Sequence, residues 1–479
     1  MFSHFRRPGS SREPARQPAG ARQDPRTAAP PPAGPRTRRA VGGLAALCLA
    51  VAGGFVATVP ATAAEPEQRY IVVLKDSAID PGTAAVAQKS SYGLTVSTVY
   101  RAAVSGYAAT MTASAAARLA ADPGVDFVTA ARDFQLPKGP TPSSQVAPDW
   151  QRRIGGSPAK DRDGGRQVVD VNVAVIDSGI DASHPELNVR GGVDCSTGSP
   201  VKVTPTDKVG HGTFVAGVIG AKDNDEGVVG AAPGTPLWSV RVVDDAGLIT
   251  EDMLICAIDW VTGTHKDENP DNDIEVANIS IGGPGADAAE CGKGKDPMHY
   301  AICRSVRAGV AYAVAAGNDG MDFAGTVPAT YDEVLTATAM ADFDGEPGGL
   351  ASPVCGEDDW TSIGQLDDYP AFFSNFATKS GDKAHTVAAP GVCITSTSPT
   401  PEGYGVAHGT SFASPAVAGA LALCISQGDC EGSGKALMSK FLESTKAYNN
   451  KHRHFGFEGD PLRPIKGQYY GYLAQIADY

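Results

Sequence analysis

Short apolar runs alternate with stretches of helical composition after about Leu136, and this alternation most constrains the fold of the chain. Residues 171–176, 276–281 and 310–315 are rich in Val, Ile and Ala, which predicts buried strands, whereas residues 213–219 predict a helix. Because strands that alternate with helices form a parallel sheet covered on both faces, the sequence predicts an α/β fold. Ligands bind at the carboxyl ends of the strands in such sheets, so we expect functional side chains there.

A smaller unit precedes this region, between about Arg69 and Phe134. Residues 70–74 (YIVVL) predict a strand, residues 113–121 have helical composition, and residues 125–129 predict a last short strand. We therefore expect a small α+β domain ahead of the α/β region.

The first 64 residues differ in composition from the rest of the chain. Residues 1–39 are rich in Arg, Pro, Ala and Gly, so they cannot form a core and we expect them to be disordered. Residues 41–59 are apolar and are followed by Ala61-Thr62-Ala63, a small-residue pattern for signal peptidase. A signal peptide is favoured over an uncleaved membrane anchor. The partial twin-Arg motif at Thr37-Arg38-Arg39 leaves Sec and twin-Arg export as alternatives.

The charge of the chain is unevenly distributed. The formal net charge is −14, yet the first 64 residues carry nine arginines against one Asp and one Glu, so the rest of the 479 residues are more acidic than the whole. Binding to nucleic acid needs clustered Lys and Arg, and an acidic body therefore argues against a nucleic-acid partner. Acidity of this kind favours solubility outside the cell.

Nine cysteines give the chain a further constraint. Cys48 lies in the apolar N-terminal run, so eight would remain after signal cleavage, and an even number in an exported protein predicts disulfides. The chain contains no C-x-x-C pair and no H-E-x-x-H motif, which argues against a zinc site. The spacing alone leaves the pairing of the eight cysteines open.

Four short stretches combine reactive or hydrogen-bonding side chains with small residues, and each has an ordinary structural interpretation. Asp177 could cap a turn after a strand, and His211 could be structural. Asn318 lies in a stretch of turn composition, and Ser411 could be a helix N-cap. A Ser at a helix N-terminus could equally be a nucleophile, because the helix dipole favours developing negative charge there.

The four stretches together are far more specific than any one of them. They comprise residues 175–180 (VIDSGI), 211–217 (HGTFVAG), 315–320 (AAGNDG) and 408–419 (HGTSFASPAVAG), and as a set they resemble the motifs of the subtilisin (subtilase) family. Asp, His and Ser also follow one another in the chain order of that family, which differs from the chymotrypsin and α/β-hydrolase orders. The resemblance extends from about Arg69 to the C-terminal region.

The resemblance implies a three-layer α/β fold with a mostly parallel sheet between helices, preceded by a small α+β propeptide domain that assists folding and blocks the active site. We accordingly expect a basic arm and signal peptide over residues 1–64, a propeptide inhibitor domain over residues 65–137 and a catalytic domain over residues 138–479. Cleavage between the last two is expected between Phe134 and Ser144.

The resemblance also implies a serine endopeptidase and a role for each motif residue. Ser411 would attack the scissile carbonyl, and His211 would take its proton and deliver it to the leaving amine. Asp177 would hold His211 in the required tautomer, and Asn318 would donate a hydrogen bond to the oxyanion. No cofactor is expected to be required for the chemistry.

The same comparison implies a substrate pocket. Its walls would be formed by Ser280, Ile281 and Gly282 and by Ala315, Ala316 and Gly317. Thr326 corresponds to the pocket floor, where the best-known members have Gly, which favours medium-sized apolar side chains over large aromatic ones.

A structural calcium ion and three disulfides are implied as well. Residues 222–228 (KDNDEGV) have the length of a calcium loop of the family, and Glu186 and Asn224 match its side-chain ligand positions, with a solvated acidic turn as the alternative. A resemblance to subtilases of the actinobacterial type favours Cys291–Cys303, Cys355–Cys393 and Cys424–Cys430. Cys195 and Cys256 are then left over, with Cys256 as a candidate buried free thiol.

The expected protein is a secreted monomer that acts on protein or peptide substrates, is inhibited by its own propeptide and has no stable membrane association after signal cleavage. Two alternatives stay open. One is a dedicated processing protease for a single partner. The other is an inactive binding protein with the same fold, which is disfavoured because no residue of the triad or oxyanion site is missing.

Overall fold

The computed structural model describes residues 65–75, 79–134, 148–156, 169–224, 227–288, 290–291, 293–355, 358–400 and 403–479. The expected basic arm, the signal peptide and most of the expected cleavage region lie outside these residues. No helix in the described ranges is both long and apolar enough to span a membrane.

The N-terminal domain is a small α+β domain, as the sequence predicts, and it consists of a four-stranded antiparallel sheet with two helices. The order of its strands is β2-β3-β1-β4. Asp80 begins the first helix by accepting a hydrogen bond from the Thr83 amide at 3.0 Å, and Gly93 ends it in the left-handed conformation. The elements are β1 (Glu67–Leu74), α1 (Pro81–Tyr92), β2 (Thr95–Tyr100), β3 (Gly106–Thr112), α2 (Ala113–Leu119), β4 (Val125–Ala130) and the short β5 (Asp133–Phe134).

The α/β domain follows. Its elements up to the middle of the sheet are α3 (Asp149–Arg153), β6 (Val173–Asp177), β7 (Val189–Asp194), β8 (Val201–Lys202), α4 (His211–Gly220), β9 (Leu237–Arg241), β10 (Ile249–Thr250), α5 (Glu251–Thr264), β11 (Val276–Ile279), β12 (Gly283–Pro284) and α6 (Pro297–Ala308). The remaining elements are β13 (Ala311–Ala315), β14 (Thr326–Val327), β15 (Leu335–Ala341), β16 (Val354–Cys355), β17 (Asp358–Asp359), β18 (Tyr369–Pro370), α7 (Ser380–Ala384), β19 (Thr386–Pro390), β20 (Ile394–Thr397), β21 (Tyr404–Ala407), α8 (Thr410–Ser426), α9 (Gly434–Lys451) and β22 (Tyr472–Leu473).

The central sheet of this domain has the strand order β22-β19-β15-β13-β11-β6-β9-β7-β8, with β18 paired to β15. The pairs from β22 to β7 are parallel, and only β8 and β18 run antiparallel to their neighbours. Every residue of β6, β11 and β13 is buried, because helices cover both faces of the sheet.

The register shows which helix covers which face. Asn278 of β11 bonds to Ser414 of α8, whereas Tyr312 of β13 bonds to Ser305 of α6. Tyr312 is the register partner of Ala277, so it points away from the face that Asn278 occupies. Helix α8 therefore lies on one face of the sheet and α6 on the other, which gives the expected three layers.

Four disulfides join the described cysteines. Cys291–Cys303, Cys355–Cys393 and Cys424–Cys430 are present as expected. The expectation that Cys195 and Cys256 are left over, with Cys256 a free thiol, is wrong: the two form a disulfide across a separation of 61 residues. This bond joins the segment after β7 to helix α5, two regions that only the folded sheet brings together.

Candidate active site

Asp177 is the last residue of β6 and is completely buried. Its Oδ1 accepts a hydrogen bond from the Ser178 amide at 2.7 Å. The strand thus ends on a carboxylate that the local backbone already holds in place.

His211 begins helix α4 and faces this carboxylate. Its Nδ1 lies 2.8 Å from Asp177 Oδ1 and 2.9 Å from Oδ2. The following residue must be Gly, because a Cβ on Gly212 would lie 2.1 Å from the Gly179 carbonyl oxygen and 3.1 Å from the Asp177 Cβ. The His-Gly pair of the sequence is therefore what allows the start of the helix to approach the end of β6.

Asp207 holds the start of α4 in position, and sequence analysis did not identify it. Its Oδ1 accepts hydrogen bonds from the Gly210 amide at 2.8 Å and the Ser178 hydroxyl at 2.9 Å. Its Oδ2 accepts from the amide and the hydroxyl of Thr213, at 2.9 and 2.7 Å. The N-cap position is Gly210, yet an Asp four residues before His211 can still accept hydrogen bonds from the first amides of the helix, and it could have been noted on that ground.

The surroundings of His211 favour its charged form. Burial opposes the charge, but the charge and hydrogen bond of Asp177, together with the charge of Asp207, outweigh burial and raise the pKa of His211. His211 Nε2 is buried and has no hydrogen-bond partner among the described residues. Because Nδ1 faces Asp177, Nε2 is the nitrogen that can take a proton from another group.

Ser411 lies in the first turn of α8, beside the end of β11. Its Oγ donates to the Ser280 carbonyl oxygen at a long 3.3 Å, while the Ser280 hydroxyl donates to the Ser411 carbonyl oxygen at 2.7 Å. The hydroxyl of Ser411 is thus not bonded to His211 in this conformation. Catalytic hydrogen bonds are often loose without substrate and tighten when it binds. The ring of the next residue, Phe412, packs against that of His211, with the two ring centroids 5.3 Å apart.

Thr410, the residue before Ser411, holds the side chain of Asn318 in place. Its Oδ1 accepts hydrogen bonds from the amide and hydroxyl of Thr410, both at 2.8 Å. A Cβ on Gly409 would lie 3.2 Å from Asn318 Nδ2 and 3.7 Å from the Ser411 amide nitrogen. Gly409 has a φ of 147°, and both nitrogens border the space that its missing side chain leaves. The side-chain amide of Asn318 and the backbone amide of Ser411 are therefore close neighbours, as the predicted oxyanion site requires.

The two predicted pocket walls follow neighbouring strands of the sheet, and both contact the start of α8. The wall that contains Ser280 follows β11, and the wall that contains Gly317 follows β13. The Gly317 amide donates to the Thr410 hydroxyl at 3.1 Å, so both walls are bonded to the first turn of α8. The structure brings all seven predicted wall and floor positions to this region, namely Ser280, Ile281, Gly282, Ala315, Ala316, Gly317 and Thr326.

Thr326 lies in β14, which pairs antiparallel with β12 directly after the first wall. A Cβ built on Gly282 would be 3.3 Å from Thr326 Cγ2, so the methyl group of Thr326 faces that wall. A Gly at this position would leave the space open.

The predicted calcium ligands also meet. Asn224 Nδ2 donates to Glu186 Oε1 at 2.9 Å, and Glu186 is 1% exposed. Glu186 Oε2 is buried without a hydrogen-bond partner among the described residues. An orphaned carboxylate oxygen fits a hard cation such as Ca²⁺, with the Asn224 side-chain oxygen as a second ligand of suitable chemistry. Asp225 and Glu226 of the same loop lie outside the described residues.

Comparison with known families identifies this arrangement. The model of the subtilase family matches residues 169–457, and that of the peptidase inhibitor I9 family matches residues 69–136. The chain belongs to the subtilase family. It is a subtilisin-like serine peptidase, and its N-terminal α+β domain is an inhibitor domain of the I9 type.

The chain is also similar to individual proteins. The chain is 34% identical to a subtilisin of Bacillus pumilus over 291 residues, which are 60% of this chain and 87% of that protein. It is 33% identical to subtilisin E of Bacillus subtilis (strain 168) over 291 residues, and spans 63% of its length. A crystal structure of a cold-adapted subtilisin-like serine proteinase superposes with a TM-score of 0.48 and 23% identity, over 70% of this chain and 98% of that one.

The negative charge of Asp207 beside His211 leads to a prediction about the pH dependence of activity. A His211 that acts as general base must be neutral to accept a proton, so we expect kcat/KM to rise as the pH passes its pKa. Asp207→Asn removes a charge that raises this pKa, and we expect the acidic limb of the kcat/KM profile to move to lower pH. Asp207→Ala should show the same movement and, because the cap is lost, also lower the free energy of unfolding by about 1 kcal/mol. An acidic limb that stays in place in both variants would contradict the assignment.

Proposed function

We propose that this subtilase is a secreted serine endopeptidase, made as a self-processed zymogen, that hydrolyses peptide bonds in proteins through Asp177, His211 and Ser411. The observation that carries the proposal is the Asp177–His211 pair, with its 2.8 Å contact, beside a helix that begins at Thr410-Ser411. The family match supports the reaction class.

The proposed steps follow from the donors and acceptors of the site. Asp177 holds Nδ1 of His211, so Nε2 accepts the proton of Ser411 as its Oγ turns from the Ser280 carbonyl to attack the substrate. The Asn318 side-chain amide and the Ser411 backbone amide then stabilise the oxyanion. His211 delivers its proton to the leaving amine, and water completes the hydrolysis by the same route.

The zymogen proposal divides the chain into an arm and signal peptide (1–64), an inhibitor domain (65–137) and a catalytic domain (138–479). The I9 match over residues 69–136 supports an intramolecular inhibitor. Secretion is supported by the A-x-A pattern after the apolar N-terminal run and by the four disulfides, which oxidising compartments favour. We further infer a monomer of the actinobacterial secreted type with no stable membrane association after signal cleavage.

A serine-directed fluorophosphonate probe tests the reaction and the processing together. We expect the probe to label Ser411 in the secreted protein, and the N-terminus of the labelled species to begin between Phe134 and Ser144. Ser411→Ala should remain unlabelled and uncut at that junction. The matched control is Ser426→Ala at the exposed end of the same helix, which should be labelled and processed normally. Labelling at another residue, or processing of the Ser411→Ala chain by itself, would refute the proposal.

The proposed specificity follows from the pocket floor. With the Thr326 methyl group facing Gly282, we expect medium-sized apolar side chains before the scissile bond to be favoured over large aromatic ones. One added methyl group in a pocket changes discrimination by roughly tenfold or more. A peptide library measures this preference, and Thr326→Gly should shift it towards aromatic side chains. A strong preference of the unaltered enzyme for Lys, Arg or Phe at this position would overturn the assignment.

We also propose a structural calcium ion at Glu186 and Asn224. When bound, it would compensate the buried Glu186 carboxylate and tie the segment after β6 to the loop after α4. Chelation should lower the melting temperature of the Ser411→Ala chain by roughly 5 °C, as expected for loss of a ligand near a hundredfold above its Kd. Glu186→Gln should abolish most of this effect. An unchanged melting temperature on chelation would exclude the ion.

A dedicated processing protease shares every catalytic residue with a broad one, so the triad does not distinguish them. Digestion of casein beside a defined peptide panel would do so. An inactive binding protein is the third candidate, and the intact triad and Asn318 argue against it.

A further inference from the structure

The segment that leaves the inhibitor domain passes along an open edge of the catalytic domain. Strand β5 pairs antiparallel with β10, with Phe134 opposite Ile249 and Asp133 opposite Thr250. It also lies against β12, which directly follows the wall that begins at Ser280. An extended polypeptide therefore occupies the groove between β10 and β12, as substrates do when they add a strand to a sheet edge.

Arg132 precedes this strand, and its main chain is bonded to the start of α5. The Arg132 amide donates to Glu251 Oε2 at 2.9 Å, and the Glu251 amide donates to the Arg132 carbonyl oxygen at 2.7 Å. The position of Arg132 in the groove is thus set by its own main chain as well as by its side chain.

The guanidinium group of Arg132 enters an acidic cradle formed by Glu251, Asp296 and Tyr331. Its Nη2 donates to Glu251 Oε1 at 2.6 Å, to Asp296 Oδ1 at 2.9 Å and to the Tyr331 hydroxyl at 3.2 Å. The side chain of Glu251 is only 1% exposed. A Cβ on Gly285 would lie 2.6 Å from Arg132 Nη1, so the glycine leaves room for the guanidinium.

All three residues of the acidic cradle belong to the catalytic domain, and two of them, Asp296 and Tyr331, also have partners other than Arg132. Asp296 caps α6 by accepting from the His299 amide at 3.0 Å, and it accepts from the Tyr331 hydroxyl at 2.7 Å. The ring of Tyr331 stacks on that of His299 with centroids 4.3 Å apart. Asp296 and Tyr331 keep these partners when the inhibitor domain leaves, and Glu251 then lacks the cation with which it is paired here.

We propose that the acidic cradle is a substrate subsite, which selects an arginine on the N-terminal side of the scissile bond. The inference rests on the proposed function, because it needs a substrate that follows the same groove as residues 132–134. Two carboxylates and a hydroxyl around Nη2 of Arg132 suit a cationic side chain, and the chain's own residue at this position is an arginine. The subsite thereby favours substrates with a basic residue several positions before the cleaved bond.

The test compares peptides that carry the chain's own residues 129–144 and differ only at one position. They contain Arg132, Arg132→Lys or Arg132→Met, and kcat/KM is measured with the mature, unaltered enzyme. We expect the Arg peptide to exceed the Met peptide by roughly tenfold to a hundredfold, with Lys between them. In Glu251→Gln and Asp296→Asn enzymes the ratio of Arg to Met should fall towards one.

Asp259→Asn is the matched control, because Asp259 bonds to the inhibitor-domain amides of Ala102 and Ala103 and does not reach the acidic cradle. Its ratio of Arg to Met should equal that of the unaltered enzyme. Equal kcat/KM values for the Arg and Met peptides would refute the subsite but leave the proposed function intact. This comparison uses only the unaltered enzyme, so it does not depend on the folding of a variant. If instead no peptide is cut and Ser411 takes no probe, the proposed function itself fails. A ratio that changes as much in Asp259→Asn as in Glu251→Gln would also refute the subsite.

Discussion

The close approach of helix α4 to the end of β6 is the contact on which the candidate active site depends. His211 reaches Asp177 only because Gly212 has no side chain: a Cβ there would lie 2.1 Å from the Gly179 carbonyl oxygen. Asp207 completes the arrangement, because one carboxylate bonds both to the start of α4 and to Ser178, which follows Asp177. The 2.8 Å contact between His211 and Asp177 is therefore a consequence of backbone packing, and it is established before any substrate binds.

The first turn of α8 has the equivalent role for the other half of the site. Thr410 bonds to Asn318 and Gly317 after β13, and Ser411 bonds to Ser280 after β11. Because neighbouring parallel strands end at the same edge of the sheet, one helix start can contact both strand ends at once. Ser411, Asn318 and both predicted pocket walls are thus joined through the first turn of α8, and a shift of this helix would displace them together.

The sequence predicts most of this arrangement because its signals are local. The strand predicted over residues 171–176 appears as Val173–Asp177, and the helix predicted over residues 213–219 appears as His211–Gly220. The Cys195–Cys256 disulfide was missed for the opposite reason. Its partners are 61 residues apart and meet only once β7 and α5 have taken their places around the sheet, so neither spacing nor proximity in the chain indicates the pair. Asp207 falls between these cases, because its capping signal is local but its link to Ser178 depends on the tertiary fold.

The start of α5 carries two carboxylates that pair with the inhibitor domain. Glu251 and Asp252 are almost completely buried, and each is paired with an arginine of the inhibitor domain, Arg132 and Arg69 respectively. This burial is that of the structure with the inhibitor domain in place. Removal of the inhibitor domain would take the paired arginine from both carboxylates. The proposed acidic cradle would then be able to pair with a basic side chain of another polypeptide, because Glu251 is paired with the inhibitor domain through Arg132.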